Sequence, residues 1–215
     1  MSAADWLAAA RLSYDNAAKG YADAMSGGLA GHPDARGALA WFAEALRGIP
    51  GSVVDAGCGP GHVTDYLART GIDVYGADIS PRMIEIARQT YPSLRFEVES
   101  FTAMGCADEA LAGVMSFYSI VHVPGEAMPA VAREFHRVLR PGGVALLAFH
   151  EGNSRRHKSE GYGGHEMDVD VYRRPISTVS AWLREAGLGI EMTATTSPGT
   201  ASSGAVVLAR KPPPQ

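Results

Sequence analysis

Apolar residues change their spacing along this chain, and each change marks an element. Short β-branched or apolar runs predict strands at Val53-Val54-Asp55, Val74–Asp78, Leu94–Val98, Gly113–Tyr118 and Val144–Phe149. Helical spacing appears over residues 5 to 25, where Trp6, Leu7, Ala10, Tyr14, Ala17, Ala18, Tyr21 and Met25 share offsets and Gly20 can divide the run into two helices. Further helices are expected from about Asp34 to Arg47, Pro81 to Thr90, Glu126 to Leu139 and Ile176 to Ala186. The third of these is stopped by Arg140-Pro141-Gly142-Gly143. Gly189–Thr195 and Gly204–Ala209 predict a closing hairpin, and Lys211-Pro212-Pro213-Pro214-Gln215 an extended tail.

From His150 to Arg174 the periodicity breaks, which predicts a long, variable connection. Within it, Met167, Val169 and Val171 alternate as on a short strand, so His165, Asp168 and Asp170 read as strand polar positions before they read as metal ligands. For Arg155-Arg156-His157-Lys158 the charge-run rule favours a solvated loop tip over a device that steers a carboxylate or phosphate.

The 215 residues suit one domain with a full core, and a net charge of −4 gives no field to recruit nucleic acid or an anionic membrane. No run has the length of a signal or spanning segment, so a cytoplasmic protein is expected. Two cysteines are too few for a disulfide framework or a thiolate metal cage. Cys58 reads as a compact filler in a loop that tolerates only small residues.

The candidate chemistry lies in Val53-Val54-Asp55-Ala56-Gly57-Cys58-Gly59-Pro60-Gly61-His62, a strand that turns through glycines into a helix. Such a turn allows close backbone approach to a ligand. A dinucleotide fingerprint needs a glycine where His62 stands, so a nicotinamide enzyme is disfavoured. The segment resembles the first motif of class I S-adenosylmethionine-dependent methyltransferases. Val74–Asp78, about twenty residues further on, resembles the second motif of that family. Leu139-Arg140-Pro141-Gly142-Gly143 and the close Leu183-Arg184-Glu185-Ala186-Gly187 resemble two more of its hallmarks, and the overall likeness is to the small-molecule, ubiquinone-biosynthesis-like branch.

That resemblance implies an α/β, Rossmann-like fold: a seven-stranded, mostly parallel sheet with helices on both faces and an N-terminal helical lid. Its parts are a helical cap (1–48), a cofactor-binding core (49–150), a variable substrate-side insert (151–175) and a C-terminal helix and hairpin (176–215). It implies S-adenosyl-L-methionine as methyl donor, S-adenosyl-L-homocysteine as product and in-line transfer to an oxygen or nitrogen of a small molecule, by a monomer or homodimer. The competing reading is a regulatory or partner protein that binds the cofactor without transferring methyl.

Residue by residue, Gly57, Cys58, Gly59 and Gly61 would wrap the methionine end, with Asp55 close to its amino group. Asp78 would accept from both ribose hydroxyls, and Ile79 and Met83 would lie against adenine. Ser100 stands where relatives carry an aspartate that anchors adenine, a weaker neutral acceptor, and Phe101 would pack on the ring. Tyr14 and Tyr21, two helical turns apart, fit either a lid over the cofactor or plain core packing. Tyr118 ends the fourth strand, whose carboxyl end borders the methionine moiety in this family, and would line the cofactor; His122 follows it. His122 is a candidate general base, though a structural role is favoured because few polar neighbours are visible to tune it. His150, Tyr172 and Arg173 are candidates for the substrate side, and no metal is expected.

Overall fold

The computed structural model describes residues 3–197, 199–200 and 203–213; Pro214 and Gln215 of the predicted tail lie outside them. Among the described residues, nine strands and six α-helices run in the order α1 (Ala3–Ala24), α2 (Pro33–Ala45), β1 (Val53–Ala56), α3 (His62–Arg69), β2 (Val74–Asp78), α4 (Pro81–Thr90), β3 (Phe96–Val98), β4 (Leu111–Phe117), α5 (Met128–Val138), β5 (Leu139–His150), β6 (Ser154–Glu160), β7 (Glu166–Arg173), α6 (Ile176–Glu185), β8 (Gly189–Thr196) and β9 (Gly204–Arg210). Seven strands form one sheet in the order β3-β2-β1-β4-β5-β9-β8. The first five are parallel, and β9 runs antiparallel between β5 and β8. The order reverses between β1 and β4, the place where open sheets of this kind leave a crevice at their carboxyl ends.

All four residues of β1 are buried, which explains why Val53, Val54 and Ala56 are apolar on both faces rather than alternating. In β5, Ala145, Leu147 and Phe149 pack with Val131 and Phe135 of α5 and Val179 and Leu183 of α6. Val144, Leu146 and Ala148 point the other way, onto Leu39 and Phe42 of α2 and Leu67 of α3. Helices therefore cover both faces. Part of the expected cap is core: α2 is a layer helix, and α1 with the loop after it is what remains outside.

Three expectations change. Helix α1 is unbroken, and Gly20 is there for room, since a Cβ on it would lie 2.3 Å from the Tyr162 carbonyl oxygen. The Arg140–Gly143 stop does end α5, but the chain enters the sheet at once, with Leu139 paired to Leu111. The 151–175 connection is an ordered antiparallel hairpin, β6 with β7, under which α1 lies through a bond from the Asp168 amide to Ser13 Oγ (2.7 Å). Strand β3 is a short edge that buries Phe96 and leaves Val98 half exposed.

Candidate active site

The turn after β1 closes by satisfying its own amides. Gly57 and Cys58 both donate to the Ala77 carbonyl (2.7 and 3.0 Å), Gly61 donates to Cys58 (3.1 Å), and Gly59 donates to Asp78 Oδ2 (2.9 Å). The expectation that bared main-chain nitrogens face a ligand is thus corrected: a buried turn beside a parallel strand fills its donors locally. Gly57, Gly59 and Gly61 all have positive φ, and a Cβ would strike Ser119 at Gly57 and Phe96 at Gly61. At Gly59 the atom met is Cε1 of Tyr21, at 3.7 Å, so Tyr21 rests over the middle glycine. The donors left open are those of α3, whose first residue follows Gly61, a cap without a side chain. Cys58 is packed with Ile84, Ala87 and Phe96, in keeping with a filler role.

Two carboxylates flank this turn. Asp55 is buried and accepts from Thr64 Oγ1 (2.7 Å); burial lifts its pKa to about 7, against the opposing Thr64 bond and with help from the Asp78 charge. Asp78 accepts from Ser80 N (2.9 Å) as well as Gly59 N, and burial again raises its pKa. The helix cap of α4 is Ser80, whose Oγ accepts from Met83 N (3.1 Å). Asp78 instead ties the glycine turn to the helix start. Above it, Asp15 of α1 accepts from Ser80 Oγ (2.6 Å) and Arg82 N (3.1 Å).

A cavity of about 920 Å³ opens at the switch point. Its walls bring together Tyr14, Tyr21, Asp55, Gly57, Cys58, Tyr118, His122, His150 and Arg173 of the expected residues. Tyr14 and Tyr21 meet edge to face at 6.1 Å, and Tyr21 meets Tyr162 at 4.6 Å. Tyr118 leaves β4 with φ 58° and sits 5.1 Å from the His150 ring.

His122 is engaged at both nitrogens: Nδ1 lies 2.8 Å from the Asp170 carbonyl oxygen and Nε2 lies 2.6 Å from the Tyr14 hydroxyl. A carbonyl can only accept, so Nδ1 carries the hydrogen and Tyr14 donates to Nε2. Burial pushes the imidazole down to about 4 despite the Asp170 bond, and burial also holds the Tyr14 phenol well above its ordinary range. Both groups stay neutral near pH 7. In this arrangement His122 has no free lone pair for a substrate proton, which corrects its candidacy as a direct base and identifies the polar partner that the sequence did not reveal.

Other expected residues go elsewhere. Ile79 packs with Ala10 and Ala17 of α1 and Met167 and Val169 of β7, while Met83 is fully buried. Ser100 Oγ is paired with Thr102 Oγ1 (2.7 Å), and Phe101 joins the core edge-on to Phe135. Neither these four nor Asp78, Gly59 and Gly61 form walls of the cavity. Tyr172 falls on the opposite side of β7 from Val171 and Arg173, because a strand alternates its faces. Its ring lies under the Arg174 guanidinium at 4.7 Å.

The hairpin also divides the basic run. Arg155 pairs with Asp170 (2.6 Å), and His157 lies 3.5 Å from the same carboxylate. Arg156 and Lys158 face the cavity. The reading of this run as a solvated loop tip is thus corrected for Arg156 and Lys158, which lie on a strand that walls the cavity; His32, Asp34, His62, Tyr162 and Thr196 are wall residues that sequence reasoning did not select. The one signal available was the alternation of Met167, Val169 and Val171, which implied a partner strand of matching faces. His62 Nδ1 is buried without a hydrogen-bond partner, and the start of α3 carries no side-chain cap. Together they leave polar capacity at the inner end for a ligand.

Residues 53–143 match the family described as a methyltransferase domain. The methyltransferase GfsG of Streptomyces halstedii is 35% identical over 45% of this chain. A ubiquinone biosynthesis O-methyltransferase of Pseudomonas aeruginosa is 29% identical over 70% of this chain. The chain spans 36% of the first relative's length and 70% of the second's. Among solved structures, Burkholderia thailandensis 1,6-didemethyltoxoflavin-N1-methyltransferase, bound to 1,6-didemethyltoxoflavin and S-adenosylhomocysteine, superposes with a TM-score of 0.77 at 20% identity. That likeness covers 99% of this chain and 91% of the other, and it shows the fold.

Proposed function

We propose that this chain, which carries a methyltransferase domain over residues 53–143, transfers a methyl group from S-adenosylmethionine to an oxygen or nitrogen of a small molecule. The observation that carries the reading is the convergence of the β1 glycine turn, Asp55 and the Tyr14–Tyr21 pair on one cavity that is also walled by His150 and the hairpin. A volume of about 920 Å³ is at the upper end for one small ligand and suits two held side by side.

Bound there, the cofactor would supply an electrophilic methyl group. Asp55, when ionised, would attract its ammonium group, and the first-turn amides of α3 and the unpartnered His62 Nδ1 would meet its polar atoms. Asp78 keeps unused acceptor capacity for hydroxyls. The chain itself contributes position and shelter. Tyr14, Tyr21 and Tyr162 close one side, where they would shelter acceptor and donor from water. His122 fixes Tyr14 rather than taking a proton itself, and an amine acceptor needs no base before attack.

The test is calorimetric titration with S-adenosylhomocysteine, followed by transfer of labelled methyl from S-adenosylmethionine to a pooled small-molecule extract. Binding together with label in a small-molecule product supports the reading. Binding without transfer would leave the regulatory alternative, and no binding would sink both.

A further inference from the structure

The residues that face the substrate end are not matched in charge. Strand β6 places Arg156 opposite Val171 and Lys158 opposite Val169, and Val171 is itself a cavity wall. Arg155 and His157, opposite Tyr172 and Asp170, point outward to carboxylates. So four consecutive basic residues are sorted by the strand period into an outer pair with acidic partners and an inner pair facing the cavity. No ion pair to Arg156 or Lys158 occurs among the described residues; Lys158 Nζ lies 4.2 Å above the Tyr162 ring, a contact that leaves its charge intact.

His150 stands on the same wall, its pKa lowered by burial and then by the nearby Arg173 and Arg156 charges; burial and Arg156 likewise lower that of Lys158. The acidic walls are Asp55 at the inner end and Asp34 at the start of α2. Cations crowded together at the mouth of a cleft focus a positive potential into it and are relieved by an anion.

We propose that Arg156 and Lys158 receive an anionic group of the acceptor, so that the molecule methylated bears a carboxylate or comparable anion. This rests on the methyl-transfer reading. The same chemistry has a second source, the carboxylate of the cofactor's own amino-acid tail; the assignment here is to the acceptor because the Arg156 charge acts on His150, whose ring lies 5.1 Å from Tyr118, and the response of S-adenosylhomocysteine affinity to the double variant separates the two sources.

The probes are benzoate, 4-hydroxybenzoate and 3,4-dihydroxybenzoate, each against its neutral carboxamide, titrated into the protein with and without saturating S-adenosylhomocysteine. At least one acid is expected to bind about tenfold or more tighter than its amide, with the advantage shrinking as salt rises. R156Q/K158Q should abolish the advantage while S-adenosylhomocysteine affinity stays within about twofold. R156E/K158E should turn the preference toward 4-hydroxybenzylamine, an outcome that a misfolded variant cannot produce. The proposal is overturned if no acid outbinds its amide, if the advantage survives the double variant, or if the double variant chiefly loses S-adenosylhomocysteine. Failure of the wild-type chain to take up S-adenosylhomocysteine would count against methyl transfer, while the acid and amide comparison without it still reads the cationic wall.

Discussion

The Tyr14 hydroxyl lies 2.6 Å from Nε2 of His122, joining the N-terminal helix to the turn after the fourth strand. Because Nδ1 is held by the Asp170 carbonyl, the same ring also binds the hairpin, so three separate segments meet on one imidazole. Tyr14→Phe removes the donor and leaves Nε2 unpaired; the expected cost is ~1–3 kcal/mol of stability, read as a lower midpoint in urea. A midpoint unchanged from wild type would show that the bond does not form in solution.

Neutral His122 makes stability depend on acid. Its folded pKa of about 4 lies below the unfolded value near 6.5, so its contribution is complete above pH ~6.5 and is lost as pH falls through about 4. The full effect is at most ~3 kcal/mol. Melting temperatures of wild type and His122→Gln between pH 7 and 4.5 should converge as the pH falls. Parallel curves would mean that the imidazole is charged in the fold.

Asp55 works in the opposite direction. Its folded pKa is raised to about 7, so its contribution is complete below the unfolded value near 3.9 and is lost as pH rises through about 7. Asp55→Asn should therefore gain stability relative to wild type between pH 6 and 8. Cofactor binding should show the reverse trend, since only the ionised carboxylate attracts an ammonium group: wild-type affinity for S-adenosylhomocysteine rises from pH 6 to 8, and the Asn variant stays flat. A flat wild-type profile would remove Asp55 from the cofactor site.

Asp78→Ala is expected to weaken S-adenosylhomocysteine by ~1–3 kcal/mol, the loss of charge-assisted bonds. It should also destabilise the fold, because Gly59 N and Ser80 N lose their acceptor. Calorimetry and urea melts separate the two effects. Intact affinity in a destabilised protein would restrict Asp78 to holding the turn.

Two helical glycines give a paired test of packing. Gly37 in α2 is exposed with nothing near its would-be Cβ, so Gly37→Ala should stabilise by ~0.5–1 kcal/mol. Gly20→Ala gains the same propensity but places a methyl 2.3 Å from the Tyr162 carbonyl oxygen, and that clash should win. The result expected is a net loss of stability and faster proteolysis near residue 162. Equal gains at both positions would mean that α1 does not pack on the hairpin.

The core was legible in the sequence wherever burial is two-sided or strictly periodic. Val53–Ala56 carries Asp55 next to its end, Val74–Asp78 ends in its acid at the expected offset, and Val144–Phe149 is apolar throughout. The hairpin was hidden because β6 is polar on both faces, so its period carries no hydrophobic signal. Gly20 read as a break because a glycine in a helix signals either a weak point or a close neighbour, and only the fold supplies the neighbour. At Ser100 and Phe101 the family pattern pointed to a ligand, but a two-residue turn took the hydroxyl and the core took the ring. The amides of the glycine turn failed for a related reason: a spacing identifies the turn, but not which strand claims its donors.

Helix α1 is tied at Asp15 to the start of α4 and at Ser13 to the hairpin, so one rod spans what would be the adenosyl side and the acceptor side. Lifting it to admit a nucleoside necessarily disturbs the wall that meets the second ligand. Occupancy at either side would then alter affinity at the other by the same factor.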